Sequence, residues 1–227
     1  PRSTPLYSSA ASDVYKRQIM DENASLLEKP TNNDYSNFTF LKVASHPDEM
    51  VATAAALGWS TIGIADVNSL AGIVRAHVAA RDHHIRLLVG ARLRPIDGPD
   101  VLVHPCDREG YEGLSMLLSE ANMRGSKATP ALYLADFARL PESTVLLAMP
   151  PRHPDTCYQA NLDKLLQIAR GQIFAVICLS LDGADAARCQ MLGAFANALG
   201  LRVAAAADAL YHIPAPVSYT HLRAHET

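Results

Sequence analysis

The stretch TIGIADVNSLAGIVRAHVAARDHHIRLLVGARL, residues 61–93, decides the fold class. Thr61–Ala65 is a short apolar run typical of a buried strand, and Leu87–Leu93 is a second one. Apolar residues between them recur at helical spacing, which predicts a helix capped by the Asn-Ser pair at 68–69 and ending near Ala80. A strand, a helix and a second strand in this order predict a βαβ unit with two parallel strands.

The same alternation continues on both sides of this unit. Ser45 and Asp48 have the spacing of a capping box for a helix that Gly58 ends, and Asp107 is placed to cap another helix. The strand runs are continuously apolar, as expected for parallel strands buried on both faces. The other predicted strands are Ser36–Leu41, Val101–His104, Thr144–Met149, Ile173–Leu179 and Arg202–Ala206. The remaining predicted helices are Asp107–Asn122, a short one near Leu134–Ala138, Asp155–Ala169 and Asp185–Leu199. The order predicts an α/β fold, either a doubly wound sheet or a barrel.

Functional residues in such folds gather where parallel strands end. The predicted carboxyl ends of the strands are 41–45, 65–69, 91–93, Pro105, 149–152, Ser180 and 208–212. We therefore expect any site to be built from residues in these short segments. His104 and Cys106 flank one of them but have no further ligand type close by in sequence.

Both ends of the chain read as foreign to the rest. Residues 8–18, SSAASDVYKRQ, and 217–227, VSYTHLRAHET, match translated sequencing adaptors, so we interpret 1–18 and 217–227 as disordered adaptor sequence. Residues 19–216 then keep 16 basic and 21 acidic residues, a net charge of −5. This excess of acidic residues argues against residues 19–216 forming the main nucleic-acid-binding surface, which normally requires a basic face.

The whole chain has 227 residues, of which 49% are hydrophobic and 19% charged, a composition typical of a globular α/β protein. It has no signal peptide and no apolar run of transmembrane length, so we expect a cytoplasmic location and no membrane partner. Its four cysteines form no CxxC pair, and Cys178 and Cys189 lie in apolar segments typical of small core residues.

Five segments carry a family resemblance. They are SNFTFLKVASHPD (36–48), ADVNSLAG (65–72), LLVGARL (87–93), GYEGLSMLLSEAN (110–122) and DALYH (208–212). In order and spacing they resemble the polymerase-and-histidinol-phosphatase (PHP) domain at the N-terminus of bacterial DNA polymerase III alpha subunits. The likeness is greatest to the error-prone branch of that family. It covers nearly all of residues 33–216 and leaves 19–32 as an N-terminal extension.

The resemblance implies a distorted, TIM-like (β/α)7 barrel, truncated at its C-terminus. In metal-binding members, ligands at the strand ends hold divalent metals that activate water and clamp phosphate. Here the opening His-x-His pair falls at Asn33 and Tyr35, and the Asp-His pair at Asp66–Val67. The glutamate of the Gly-x-Glu motif falls at Arg92, and the closing Asp-x-His at 208–210. Only Asp66 and Asp208 survive as remnants of the metal site, so we expect no working hydrolytic centre.

The surviving residues also have plainer interpretations. Asp66 is placed to cap the helix that follows it, as an alternative to residual metal contact. Arg92 suits an ion pair with Asp66 or Asp208 across the barrel mouth, which would replace the lost metal as the local charge. His46 and His212 are further candidates for the barrel mouth, although packing at a helix start is the simpler interpretation of His46.

The resemblance implies a scaffold role. The parent would be an error-prone, DNA-directed DNA polymerase that uses a divalent metal, Mg²⁺, while this piece would bind no cofactor and be inactive alone. Its partners would be the remainder of the polymerase chain, DNA through that parent, and repair accessory proteins. Two alternatives remain open: a stand-alone metal-dependent phosphoesterase or 3′–5′ exonuclease, and a pure docking module.

Overall fold

A computed structural model describes the backbone of residues 27–31 and 33–34, and residues 45–126, 129–151, 155–178, 183 and 185–206 with side chains. The strands are β1 Leu27–Thr31, β2 Asn33–Asp34, β3 Thr61–Val67, β4 Arg86–Leu93, β5 Val101–Pro105, β6 Thr144–Ala148, β7 Gln172–Cys178 and β8 Arg202–Ala206. The helices are α1 Pro47–Ala56, α2 Ile73–Asp82, α3 Arg108–Arg124, α4 Thr156–Ile168, α5 Asp185–Ala198 and a short 3-10 helix Leu134–Arg139. The predicted α/β class is confirmed, while the predicted strand Ser36–Leu41 lies outside the described residues.

The strands form one sheet that curls into a barrel. Their order is β1-β8-β7-β6-β5-β4-β3-β2, so β1 and β2 lie at opposite ends of the sheet. Thr31 in β1 pairs with Ala206, and Asn33 in β2 pairs with Gly63. Two residues of chain span at most about 7 Å. The two ends of the sheet, β1 beside β8 and β2 beside β3, therefore lie close together. If β1 and β2 are taken as one interrupted strand, the described strands occupy the seven positions that the resemblance implied.

Strand β5 corrects the expectation of an all-parallel sheet. It pairs antiparallel with both β4 and β6, whereas the other neighbouring strands are parallel. The chain between Leu93 and Val101 is too short for a helical crossover, which needs a dozen or more residues, so the two strands form a hairpin. As a result Pro105 lies at the edge opposite the carboxyl ends of the parallel strands. The prediction that Pro105 belongs to the functional edge is wrong.

Apolar side chains fill both sides of the sheet. One cluster joins β3 to α1 and α2, and a larger one packs β4–β8 against α3, α4, α5 and the 3-10 helix. A smaller cluster comes only from the inner face of the barrel and includes Leu102, Leu147 and Phe174. Burial on both faces explains the continuous apolar runs in the strands. None of the described helices is both long and apolar enough to cross a membrane.

The helix limits agree with the sequence at the start of α3, at the start of α4 and at the end of α1, and differ at the starts of α1 and α2. Asp107 and Asp155 cap α3 and α4 through their side chains, and Gly58, with a φ of 77°, follows the end of α1. The capping box of α1, however, begins at His46, whose backbone N–H donates to Glu49 Oε2 at 2.8 Å. The predicted box at Ser45 is therefore wrong by one residue.

Helix α2 begins later than predicted. Its N-cap is Gly72, so neither Asn68 nor Ser69 caps it. Asn68 has a φ of 48° and its backbone N–H donates to the carbonyl of Arg92 at 2.9 Å, which prolongs the pairing of β3 with β4. The hydroxyl of Ser69 accepts from the N–H of Ala71 in a tight turn. Local hydrogen bonds therefore hold this segment in a loop where periodicity alone predicted a helical turn.

Candidate functional site at the carboxyl edge of the sheet

A cleft of about 440 Å³ opens at the edge where the parallel strands end. The end of β4, the start of β5, the end of β6 and the first turns of α4 enclose it. The lining residues that matter below are Arg92, Asp100, Met149, Asp155, Cys157 and Tyr158. This is the edge where barrel folds carry their functional residues, so the cleft is the candidate site.

Two arginines share one carboxylate at this edge. Arg92 Nε donates to Asp100 Oδ2 at 2.7 Å, and Arg94 Nε donates to the same oxygen at 2.9 Å. The side chains of Arg92 and Asp100 are 12% and 27% exposed. Charge-assisted hydrogen bonds of this kind are stronger than neutral ones, and partial burial protects them from screening. The arrangement holds the guanidinium of Arg92 at the cleft.

Asp100 is the residue that the sequence analysis missed. It lies just before β5, and it reaches the functional edge only because β5 runs antiparallel to its neighbours. Its backbone carbonyl also accepts from the N–H of Met149 at the end of β6. The short connection between β4 and β5 was the available signal, since it requires a hairpin and therefore brings Asp100 back beside Arg94.

Asp66 lies on the other side of the sheet from Arg92. Asp66 pairs in register with Ala91, whereas Val67 pairs with Arg92. Because side chains alternate between faces, Asp66 shares the helix-covered face with Ile64, and it is 1% exposed. Val67 and Arg92 lie on the inner face of the barrel. The prediction that Asp66 caps the helix after β3 is wrong, because α2 begins at Ile73 and its N-cap is Gly72.

The other sequence candidates are spread between described and undescribed parts of the chain. His46 is exposed at the start of α1, where its Nδ1 lies 3.1 Å from Nη1 of Arg75, and it does not line the cleft. Asn33 lies in β2, where only the backbone is described. Tyr35, Asp208 and His212 lie outside the described residues, as do the predicted adaptor segments 1–18 and 217–227.

His104 lies inside the barrel, toward the edge of the sheet opposite the one at which the cleft opens. Its Nδ1 lies 2.9 Å from the carbonyl of Val89, and its buried Nε2 has no hydrogen-bond partner. Burial lowers the pKa of this imidazole, and the contact with Val89 opposes the shift. Cys106, next to the same strand end, is exposed. Neither residue belongs to the cleft.

The cleft offers little acid–base chemistry of its own. The hydroxyl of Tyr158 donates to the carbonyl of Ala148 at 3.3 Å, and burial raises the pKa of this phenol well above its usual value. Asp155 accepts from the N–H of Tyr158 as the cap of α4. The exposed thiol of Cys157 lies 3.8 Å from the Asn161 amide nitrogen. These groups position the first turns of α4, and none forms a nucleophile–base pair among the described residues.

The described residues do not suit a multi-metal cluster. Within the described ranges no three His, Cys, Asp or Glu side chains come together in a way that would hold an ion. A cation, Arg92, lies on the inner face at the position where the resemblance implied a glutamate, and an aliphatic side chain, Val67, pairs with it where the resemblance implied a histidine. Metal ligands must offer a lone pair, which neither side chain does.

Known proteins resemble the chain in sequence and in fold. Residues 35–203 match the model of the PHP domain. Error-prone DNA polymerases from Caulobacter vibrioides and Brucella abortus are 38% identical over 180 residues and 39% identical over 185 residues. Each alignment covers 79% of this chain but 17% of the relative, so the chain spans about a sixth of the relatives' length.

Solved structures show the same fold at low identity. An amidohydrolase from Chromobacterium violaceum, with bound sulfate and no metal, has a TM-score of 0.59 at 14% identity and covers 85% of this chain and 89% of its own. A protein described as a metal-dependent phosphoesterase, from Bifidobacterium adolescentis, has a TM-score of 0.56 at 15% identity, with coverage of 82% and 90%. Together with the sequence match, the curled sheet and its helices show that this chain belongs to the PHP domain family.

Proposed function

We propose that this chain is the PHP scaffold domain of an error-prone DNA polymerase, acts in the cytoplasm and has no hydrolytic centre of its own. The parent polymerase would add nucleotides to a primer end with Mg²⁺ during damage-tolerant synthesis. The remainder of the polymerase chain is the first partner, with DNA and repair accessory proteins reached through it. The identity to error-prone polymerases over 79% of the chain supports this assignment.

The single observation that carries the loss of hydrolysis is the ion pair between Arg92 and Asp100. A hydrolytic PHP centre needs anionic or neutral donors at the strand ends to collect divalent cations. A guanidinium held at the inner face by a carboxylate repels such cations and consumes one of the few acidic groups nearby. The pair therefore supplies structural charge compensation where other members bind metal.

The test measures metal and turnover in the purified chain. We expect less than stoichiometric zinc, manganese or iron by mass spectrometry, and no hydrolysis of bis-p-nitrophenyl phosphate or of a 3′-labelled oligonucleotide after manganese is added. Bound metal at one equivalent or more, together with turnover, would instead establish the phosphoesterase or exonuclease alternative. The fold likeness to a metal-dependent phosphoesterase is the observation that makes this alternative worth testing.

A second experiment tests the proposed scaffold role. Residues 33–216 would replace the matching region of the Caulobacter vibrioides error-prone polymerase, and primer extension would be measured. We expect the chimaera to extend primers, and the Arg92→Glu chimaera to lose soluble, active protein, because a second carboxylate would then face Asp100. If Arg92→Glu changed neither the yield of soluble chimaera nor its primer extension, the structural role of the ion pair would be contradicted.

A further inference from the structure

A run of exposed cations covers α2 and the turn that leads into β4. Between residues 68 and 88 Asp82 is the one acidic residue. The basic and imidazole side chains of this stretch are all exposed. We call them the α2 cationic face, which consists of Arg75, His77, Arg81, His83, His84 and Arg86. A chain with a net negative charge thus concentrates positive charge on one flank.

Most other arginines of the described chain pair with a carboxylate, whereas the three arginines of this face do not, a property that they share with Arg170. Arginines that do pair with a carboxylate are Arg92, Arg94, Arg108, Arg124, Arg139 and Arg188. By contrast, Arg81 and Arg86 make no ion pair within the described residues, and Arg75 contacts the imidazole ring of His46 rather than a carboxylate. Unbalanced positive charge on an exposed flank favours an anionic partner.

The apolar content of this face is too small to favour a protein partner. Val74 and Val78 are 74% and 47% exposed and lie one turn apart on α2. Two partly exposed valine side chains contribute far less than the few hundred Å² of a typical docking patch. Scattered apolar residues of this kind are normal on a protein surface. Charge is therefore the property that distinguishes the face.

The spacing of the cations suits a polyanion rather than one small ion. Arg75 and Arg81 are six residues apart on one helix, which separates their Cα atoms by about 9 Å along its axis and by about 120° around it, within the exposed half of the helix. Arg86 begins β4 after a turn in which His84 has a φ of 55°. Long arginine side chains spread over such a length reach several phosphates of a DNA strand, where charges follow one another about every 3.4 Å.

We propose that the α2 cationic face contacts the phosphate backbone of DNA. The choice of DNA as the polyanion rests on the proposed function, since the relatives are DNA polymerases. The contact is independent of sequence and secondary to the polymerase's own binding channel, in keeping with the net negative charge of the whole piece.

The test is fluorescence anisotropy of the full chain with a fluorescein-labelled random-sequence duplex over a series of NaCl concentrations. We expect weak binding, with Kd of about 10⁻⁴ to 10⁻⁶ M, and a slope of log K against log salt of about −3 if three arginines contact phosphates. Each of Arg75→Gln, Arg81→Gln and Arg86→Gln reduces the slope by about 1. The triple variant loses at least about tenfold in affinity at low salt.

Matched controls separate this face from charge in general. Arg108→Gln and Arg139→Gln remove arginines that pair with Glu112 and Glu120, and we expect them to leave the slope unchanged. Circular dichroism and urea midpoints confirm that every variant folds. A wild-type chain without salt-dependent binding, or a triple variant with the wild-type slope, overturns the proposal. Loss of binding in Val74→Ser/Val78→Ser but not in the triple variant does so as well, and assigns the face to a protein.

Failure here is distinguishable from failure of the proposed function. Metal content and phosphodiester hydrolysis report on the cleft at the carboxyl edge, whereas the salt slope reports on α2. If the chain hydrolyses phosphodiesters and keeps the salt slope, the proposed DNA contact stands and the proposed scaffold function is wrong. If the chain is metal-free and inactive and shows no salt slope, the proposed scaffold function stands and the proposed DNA contact is wrong.

Discussion

The ring of His104 lies directly against the backbone of Gly90. A Cβ placed on Gly90 would be 2.5 Å from both Cε1 and Nδ1 of His104, closer than side-chain atoms approach one another. Gly90 is also the glycine of the Gly-x-Glu-like segment in which Arg92 stands in the third position. The contact explains why this strand carries a glycine in the barrel interior, where a side chain would normally add packing.

Replacing Gly90 with alanine should destabilise the barrel. The added methyl group has to displace a ring that is buried and held at the Val89 carbonyl, so we expect a loss of about 1–3 kcal/mol in the free energy of unfolding. Urea denaturation provides the measurement. In the Gly90→Ala/His104→Ala double variant the two losses should be less than additive, because removing the ring makes room for the methyl group.

Gly193 offers a matched control for that substitution. It lies within α5, and nothing stands within 4 Å of a Cβ placed on it. Gly193→Ala should therefore stabilise the chain by up to about 1 kcal/mol through helix propensity. Equal losses at Gly90 and Gly193 would show that steric contact with His104 is not the cause.

His104 should make stability depend on pH in the mildly acidic range. Burial holds its pKa below the ordinary 6.5, so the unfolded chain binds a proton at this position before the native chain does. Stability therefore falls as pH decreases below about 6.5, by at most about 1.4 kcal/mol per pH unit from this group. Urea midpoints recorded from neutral pH to about pH 5 measure the slope.

The His104→Leu variant should flatten that slope, whatever its effect on stability at neutral pH. Carboxylates contribute in a separate window. Asp136 has a lowered pKa, in spite of its partial burial, because Arg124 donates to it, and its contribution is lost only as pH falls through 3.8 and below. A slope above pH 5 that survives the His104→Leu substitution would assign the effect to other groups.

The Asp100 carboxylate should contribute measurably to stability. Asp100→Asn removes the charge that accepts from both Arg92 and Arg94. Hydrogen bonds to charged groups contribute about 1.5–3 kcal/mol, so we expect the free energy of unfolding to fall by an amount in that range. A double-mutant cycle of Asp100→Asn with Arg92→Leu measures their coupling. A coupling near zero would contradict the proposal that the ion pair substitutes for a metal.

An exposed pair provides the comparison for Asp100. Glu112 accepts from Arg108 one helical turn away, and the two side chains are 59% and 92% exposed. Solvent screens such pairs, so Glu112→Gln should change stability by less than about 0.5 kcal/mol. A loss at Glu112 as large as that at Asp100 would indicate a general effect of net charge.

The cap of α4 should also affect stability, because it holds the helix that lines the cleft. Asp155 Oδ1 accepts from the N–H of Tyr158 at 2.8 Å. Asp155→Ala should lower the free energy of unfolding by about 1 kcal/mol, while Asp155→Asn, which keeps an accepting oxygen, should stay within a few tenths. Identical losses in the two variants, measured by urea denaturation, would argue against capping as the role of Asp155.

Local features of the chain were predictable because they depend on neighbouring residues. The cap at Asp107 and the helix start at Asp155 were predicted correctly, since a carboxylate two or three residues before the first free N–H groups satisfies them wherever the helix packs. Most described strands were also found from their apolar runs. The error at α2 had a local cause as well, because the turn after Asn68 competes with a helix of similar periodicity.

The sequence by itself therefore determined the α/β order, most helix limits and, through the five quoted segments, the family. Tertiary structure alone decided the direction of β5, the face on which Asp66 lies and the closure of the sheet through residues 27–34. Each of these depends on which strand pairs with which, and pairing joins residues far apart in sequence. The partner of Arg92 is Asp100 for that reason: the reversal of β5, and not the spacing of the family motif, brings the two charges together.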